Sequence, residues 1–121
     1  MQLSDFKVGQ TVVITDGNVR SEYVVTTVEK VGRKYVTVSA YWHSNKFYVR
    51  RPEDCYLFED SIYGSPAILF PSEESYQQYV EKRNLENLIG RAIRQYGVSK
   101  LNTDQLYQLK KILEEGGIKL D

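Results

Sequence analysis

The residues best suited to hold a ligand lie close together in the chain, between Val31 and Arg51. This stretch contains five cations, no acid, and six side chains that can stack on a planar ring. Basic side chains neutralise phosphates and aromatic faces stack on bases, so the pattern predicts an anionic ligand, a nucleotide or nucleic acid. The predicted ligand-binding residues are Arg33, Lys34, Tyr35, Tyr41, Lys46, Tyr48, Arg50 and Arg51.

Alternating side chains predict that this stretch forms two strands with these residues on one solvent-facing side. A core position for Val36 and Val38 turns Tyr35 outward, and a core position for Phe47 turns Tyr48 outward. An ordinary solvent-facing strand surface is the alternative, because tyrosine is common on exposed strand faces.

A second basic surface is predicted on a long helix further along the chain. Arg83, Asn87, Arg91 and Arg94 fall within about 80° of one another around the helix, and no acid interrupts them. Such a stripe could meet phosphates or an acidic partner; a solvated helix face is the alternative.

The residue types needed for catalysis are sparse. His43 and Cys55 are the only histidine and cysteine, and they lie in predicted turn or edge regions. Glu53-Asp54 and Glu59-Asp60 are expected to form solvated loops, since adjacent acids lack the ligand spacing of a cation site. Phosphate-binding glycine loops and zinc patterns are absent from the sequence. We therefore expect a non-enzymatic protein without cofactor or metal; a thiol enzyme is the weakest alternative.

Composition places the chain among ordinary globular proteins. With 121 residues we expect one domain, 1–121, and 16 basic against 16 acidic residues leave no global attraction to nucleic acid or to an anionic membrane. A single cysteine excludes an internal disulfide, and no apolar run is long enough to span a bilayer. We expect a cytoplasmic protein that does not enter membranes.

The first part of the chain, 1–70, is predicted to be a small antiparallel barrel of five short strands, with a meander sheet as the alternative. Its longer strands are rich in β-branched residues, and both faces of the second are partly apolar, which favours a bulge. The predicted strand segments are Thr11–Thr15, Arg20–Val31, Lys34–Trp42 and Lys46–Arg50, with short pieces at Tyr56–Phe58 and Ala67–Phe70.

The second part, 72–116, is predicted to be a helical hairpin, which makes the chain an α+β protein. Ser72 caps the first helix, which ends before Gly97, and Asn102 with Gln105 has the spacing of a capping box for the second. In the first helix Tyr76 and Tyr79 lie nearly opposite the later apolar stripe. We therefore expect the first turns to pack on the barrel and the later turns on the second helix, or the helix to break near Lys82–Asn84.

The layout resembles small β-barrel accessory proteins of bacteriophages, a mostly uncharacterised group. The likeness rests on Val8–Val12, on the hairpin Val28–Val38, on Leu69–Glu74 and on Leu101–Leu113. The opening of the barrel is also similar to Src-homology-3 and KOW folds. The resemblance implies a non-enzymatic phage or mobile-element accessory protein that counters host defence.

Three functions without catalysis stay open at this point. The leading one is binding of a nucleotide signal or nucleic acid. The second is an inhibitor or adaptor that binds a host protein, such as a nuclease or CRISPR effector, through the helix and the tyrosine-rich surface. The third is a homo-oligomer that uses the split-faced helix as its interface.

Overall fold

Six antiparallel strands form a closed barrel in the computed structural model, which describes residues 1–16, 23–39, 45–61 and 66–120. Each strand pairs with the next, and the last pairs with the first, so closure leaves no free sheet edge. The α+β barrel prediction is confirmed, although both short segments after Pro52 are full members and the strands number six rather than five. The strands are β1 (Thr11–Thr15), β2 (Val24–Val31), β3 (Val36–Val38), β4 (Lys46–Tyr48), β5 (Leu57–Glu59) and β6 (Ile68–Phe70).

Alternating residues of the strands fill the barrel interior. Val12 and Ile14 of β1 lie there without solvent exposure, together with large side chains from later strands. Val36 and Val38 of β3 and Phe47 of β4 are equally buried, in the register that the sequence predicts. The neighbours Thr37 and Tyr48 are only half-buried, so the opposite side of β3 and β4 faces outward.

Strand β2 carries the predicted irregularity. Its pairing with β3 shifts register between Val28 and Lys30, which marks a bulge. The hairpin closes where the Gly32 amide donates to the Tyr35 carbonyl at 2.8 Å. Two predicted parts of these strands, Arg20–Glu22 and Ala40–Trp42, lie outside the described residues.

The N-terminal segment lies against one end of the barrel. A short 3-10 turn, Leu3–Asp5, precedes Phe6, which is buried in the interior cluster. The amino group of Met1 donates to the Pro52 carbonyl. At Gly9 a positive φ of 86° turns the chain into β1, a conformation that glycine adopts without strain.

Both helices begin and end at the predicted residues. Helix α1 (Glu73–Tyr96) is preceded by Ser72, whose Oγ accepts from the Ser75 amide at 3.0 Å, and it is followed by Gly97 with a φ of 69°. Helix α2 (Thr103–Glu115) has the predicted capping box: Asn102 Oδ1 accepts from the Gln105 amide at 2.9 Å, and Gln105 Oε1 accepts from the Asn102 amide at 3.0 Å.

The chain divides into two compact units, Met1–Arg83 and Asn84–Asp121. In the first, Tyr76 of α1 is only 4% exposed and lies against Phe70 with ring centroids 5.4 Å apart, so the first turns of α1 pack on the barrel as expected.

In the second unit the later turns of α1 leave their apolar stripe largely exposed, so the expected burial of that stripe is not observed. Helix α1 runs without interruption through Lys82–Asn84, so the alternative expectation of a break there is wrong. Leu88 is 59% exposed and Ile89 55% exposed. Of the described residues from 84 to 120, none is buried. Within the described part of the chain, neither helix has the length and apolar character needed to cross a bilayer.

Candidate anion-binding site on the barrel

A concave pocket of about 750 Å³ lies on the first unit. It is lined by the turn between β2 and β3, by the end of β4, by the residue after β5 and by the N-terminal segment. The lining includes four residues that the sequence predicts as ligand contacts, namely Arg33, Lys34, Tyr35 and Tyr48. Tertiary pairing of strands therefore brings half of the predicted set to one concave surface.

The two cations of the pocket are exposed because of the turn that carries them. Arg33 and Lys34 occupy the tip of the hairpin that the Gly32–Tyr35 hydrogen bond closes. Neither side chain forms an ion pair with an acid among the described residues. Their charges are therefore available to an anion at the mouth of the pocket.

Tyr35 is held in place from two sides. Its hydroxyl donates a hydrogen bond to the carboxylate of Asp60, and this bond together with the negative charge of Asp60 raises the pKa of Tyr35. The ammonium of Lys46 lies 5.6 Å from the centroid of the Tyr35 ring, within the range of a cation–π contact. The Asp60 amide donates to the Lys46 carbonyl at 2.9 Å, which fixes Asp60 beside the pocket.

Arg50 and Arg51, also predicted as ligand contacts, lie in a different setting. Asp54 Oδ2 lies 3.5 Å from Nη2 of Arg50 and 3.4 Å from Nε of Arg51. The Arg50 guanidinium also stacks 3.6 Å from the centroid of the Phe58 ring. Neither arginine is among the described residues that line the pocket, and Tyr41 lies outside the described residues.

The predicted second basic surface is exposed on α1. Arg83 is the last residue of the first unit, whereas Asn87, Arg91 and Arg94 belong to the second. The Arg94 guanidinium reaches back along the helix toward Gly90. A Cβ atom added at Gly90 would lie 3.4 Å from Nη1 of Arg94.

Of the two residues considered for catalysis, the structure describes Cys55. Partial desolvation of the exposed residue Cys55 raises the pKa of its thiol, which opposes formation of a nucleophilic thiolate, and His43 lies outside the described residues. Across residues 1–16, 23–39, 45–61 and 66–120, no three histidine, cysteine or acidic side chains cluster as metal ligands.

Glu59 does not lie in a solvated loop, so that expectation is wrong. It ends strand β5, is 2% exposed, and its Oε1 accepts a hydrogen bond from the Ala67 amide of the neighbouring chain segment at 3.3 Å. The next residue, Asp60, is exposed and lines the pocket, a role that sequence analysis missed because the pairing of β4 with β5 decides it.

Together the pocket residues offer three kinds of contact. Two cations at the hairpin tip can neutralise phosphate, the rings of Tyr35 and Tyr48 can stack on a planar group, and the Asp60 carboxylate can accept a hydrogen bond from a base.

Comparison with known proteins supports the phage resemblance. The family model of the Phage ProQ C-terminal-like domain matches residues 1–116. Neither a search of curated proteins nor a search of solved structures finds a match. Since the family model covers both the barrel and the two helices, the chain belongs to the Phage ProQ C-terminal-like domain family, a phage-associated domain.

Proposed function

We propose that this protein is a non-catalytic binding protein whose barrel pocket holds a nucleotide or a segment of single-stranded nucleic acid. The proposal depends on one observation above all. The pocket gathers Arg33, Lys34 and Tyr35 from the turn between β2 and β3, and Tyr48 from the end of β4, into one concave surface.

The arrangement supports a defined orientation of the ligand. Phosphate would lie at the hairpin tip beside Arg33 and Lys34, where charge-assisted hydrogen bonds are strongest. A base would then stack against Tyr35 or Tyr48. The Asp60 carboxylate would accept a hydrogen bond from an amino group of the base, as acidic side chains do with cytosine.

Binding without reaction agrees with the chemistry of the described residues. The raised pKa of Cys55 leaves a poor nucleophile, and the pocket lining offers no histidine or cysteine among the described residues. For a phage-associated protein, holding a nucleotide signal of the host or coating nucleic acid would counter host defence by sequestration.

The test is equilibrium binding of fluorescent single-stranded RNA and of fluorescent nucleotides across a series of salt concentrations. Charge reversal with Arg33→Glu and Lys34→Glu should weaken affinity roughly tenfold or more. For RNA, each lost phosphate contact should also flatten the slope of log affinity against log salt by about 0.7.

A matched control places the same two reversals outside the pocket. Lys7→Glu with Lys30→Glu changes the net charge equally on exposed positions of the same unit. This control should retain most of the affinity and the slope. Equal weakening by both pairs of substitutions, or wild-type affinity without salt dependence, would contradict the proposal.

A further inference from the structure

The second unit exposes an apolar surface that nothing in its own fold covers. Twelve large apolar side chains between Leu85 and Leu120 are exposed, and five of them lie on α1. We call this set the C-terminal apolar face; its α1 part comprises Leu85, Leu88, Ile89, Ile93 and Tyr96.

A unit as short as residues 84–121 is not expected to be stable while its apolar side chains are exposed to water. Residues 84–121 make up a compact unit, yet none of its described residues is buried. Chains below about 40 residues seldom fold without disulfides, metals or association, because they bury too little surface. The only cysteine, Cys55, lies in the other unit. Association would supply the burial that this unit lacks.

The exposed apolar area matches what a stable dimer requires. Full burial of one large apolar side chain removes roughly 60–120 Å² from water, so these half-exposed side chains offer roughly 400–700 Å² per copy. Specific interfaces of standard size bury about 800 Å² per partner and homodimer interfaces are about 65% apolar, so the available area is enough for an interface of standard size.

Two features favour a second copy over a different partner. Residues 84–121 hold six basic and five acidic residues, so two copies can approach without net repulsion. On α1, Leu85, Ile89, Ala92 and Tyr96 are spaced by four, three and four residues, the spacing that lets two helices pair along one seam.

We propose that the C-terminal apolar face is the interface of a homodimer, in which the α1 seam of one copy packs on that of another. The interface would supply the core that each unit lacks. This proposal does not depend on the function proposed for the barrel pocket.

The test is the molar mass of the full chain by light scattering over a dilution series. The expected mass is twice 14.1 kDa, falling toward 14.1 kDa on dilution. Ile89→Glu places a charge in the seam and should give a monomer at every concentration, with lower helical circular dichroism because the second unit loses its cover. Near-ultraviolet circular dichroism of the barrel aromatics should stay unchanged, which separates dissociation from general unfolding.

The matched control is Asn87→Glu, which adds the same charge two residues away on the opposite side of α1 and should remain dimeric. In a Cys55→Ser background, Ala92→Cys should form a disulfide between copies under mild oxidation, whereas Asn87→Cys should not. A wild-type chain that is monomeric throughout, or an Ile89→Glu variant that stays dimeric, would overturn the proposal; the first result would assign the face to a different protein.

Discussion

Two pairs of adjacent cations, Arg33–Lys34 and Arg50–Arg51, occupy different electrostatic settings in the fold. The second pair precedes a turn in which the Asp54 amide donates to the Arg51 carbonyl at 3.1 Å. That turn brings the Asp54 carboxylate back to both guanidinium groups. The turn at Gly32–Tyr35 contains no acid, and under the proposed function the charges of the first pair would meet the phosphate of the ligand.

The Tyr35–Asp60 hydrogen bond gives a prediction at the scale of one residue. Replacement by Asp60→Asn removes the negative charge that raises the pKa of Tyr35, so this pKa should fall toward its ordinary value of about 10. The measurement is the titration of the Tyr35 ring carbon by nuclear magnetic resonance in the wild type and in Asp60→Asn.

The same pair contributes to the dependence of stability on alkaline pH. Because the folded state raises the pKa of Tyr35, its contribution is present below the unfolded value near 10 and is lost as pH rises through the folded value. The wild type should therefore lose more stability than Asp60→Asn above pH 10. Identical pH profiles of the two proteins would show that the hydrogen bond is absent in solution.

Strands and helices can be predicted from the sequence where the residues that determine them are neighbours in the chain. Strand β1 and both helix caps lie where the sequence places them, because β-branched runs, Ser72 and Asn102 each act over a few residues. The bulge in β2 was also predictable, since apolar residues on both faces do not suit a regular strand.

Other elements depend on pairing between distant segments. Strand β5 ends with Glu59, a charged residue whose burial depends on an amide donated by Ala67. A local pattern suggests a loop there. The pocket likewise needs Asp60 beside Tyr35, which only the pairing of β4 with both β3 and β5 supplies.

The packing of α1 on the barrel gives a prediction at the element scale. Tyr76 is buried among aromatic rings, 4.8 Å from the Tyr23 centroid and 5.4 Å from that of Phe70. Tyr76→Ala should lower the free energy of unfolding of the first unit by about 3–5 kcal/mol, the usual cost of removing a large buried aromatic side chain. Chemical denaturation followed by near-ultraviolet circular dichroism measures this change.

The control for this substitution is Gln78→Ala, which shortens an exposed side chain on the same early turns of α1. A change within about 0.5 kcal/mol is expected there. If the two substitutions had equal effects, the first turns of α1 would not be packed on the barrel.

At the scale of the whole molecule, the two units differ in what they carry. The first carries the pocket and a complete core, whereas the second carries helices with an uncovered apolar face. Under the two proposals, each dimer presents two pockets. A nucleic-acid strand that reaches both would then be held more tightly than one that reaches a single pocket.

The most direct test of the pocket as the binding site is a backbone amide titration of the full chain by nuclear magnetic resonance, with single-stranded RNA and nucleotides as probes. We expect the largest chemical-shift changes at Gly32–Tyr35, Tyr48 and Asp60, which surround the pocket. Changes confined to the arginine stripe from Arg83 to Arg94, or no changes with any of these anionic probes, would contradict the account.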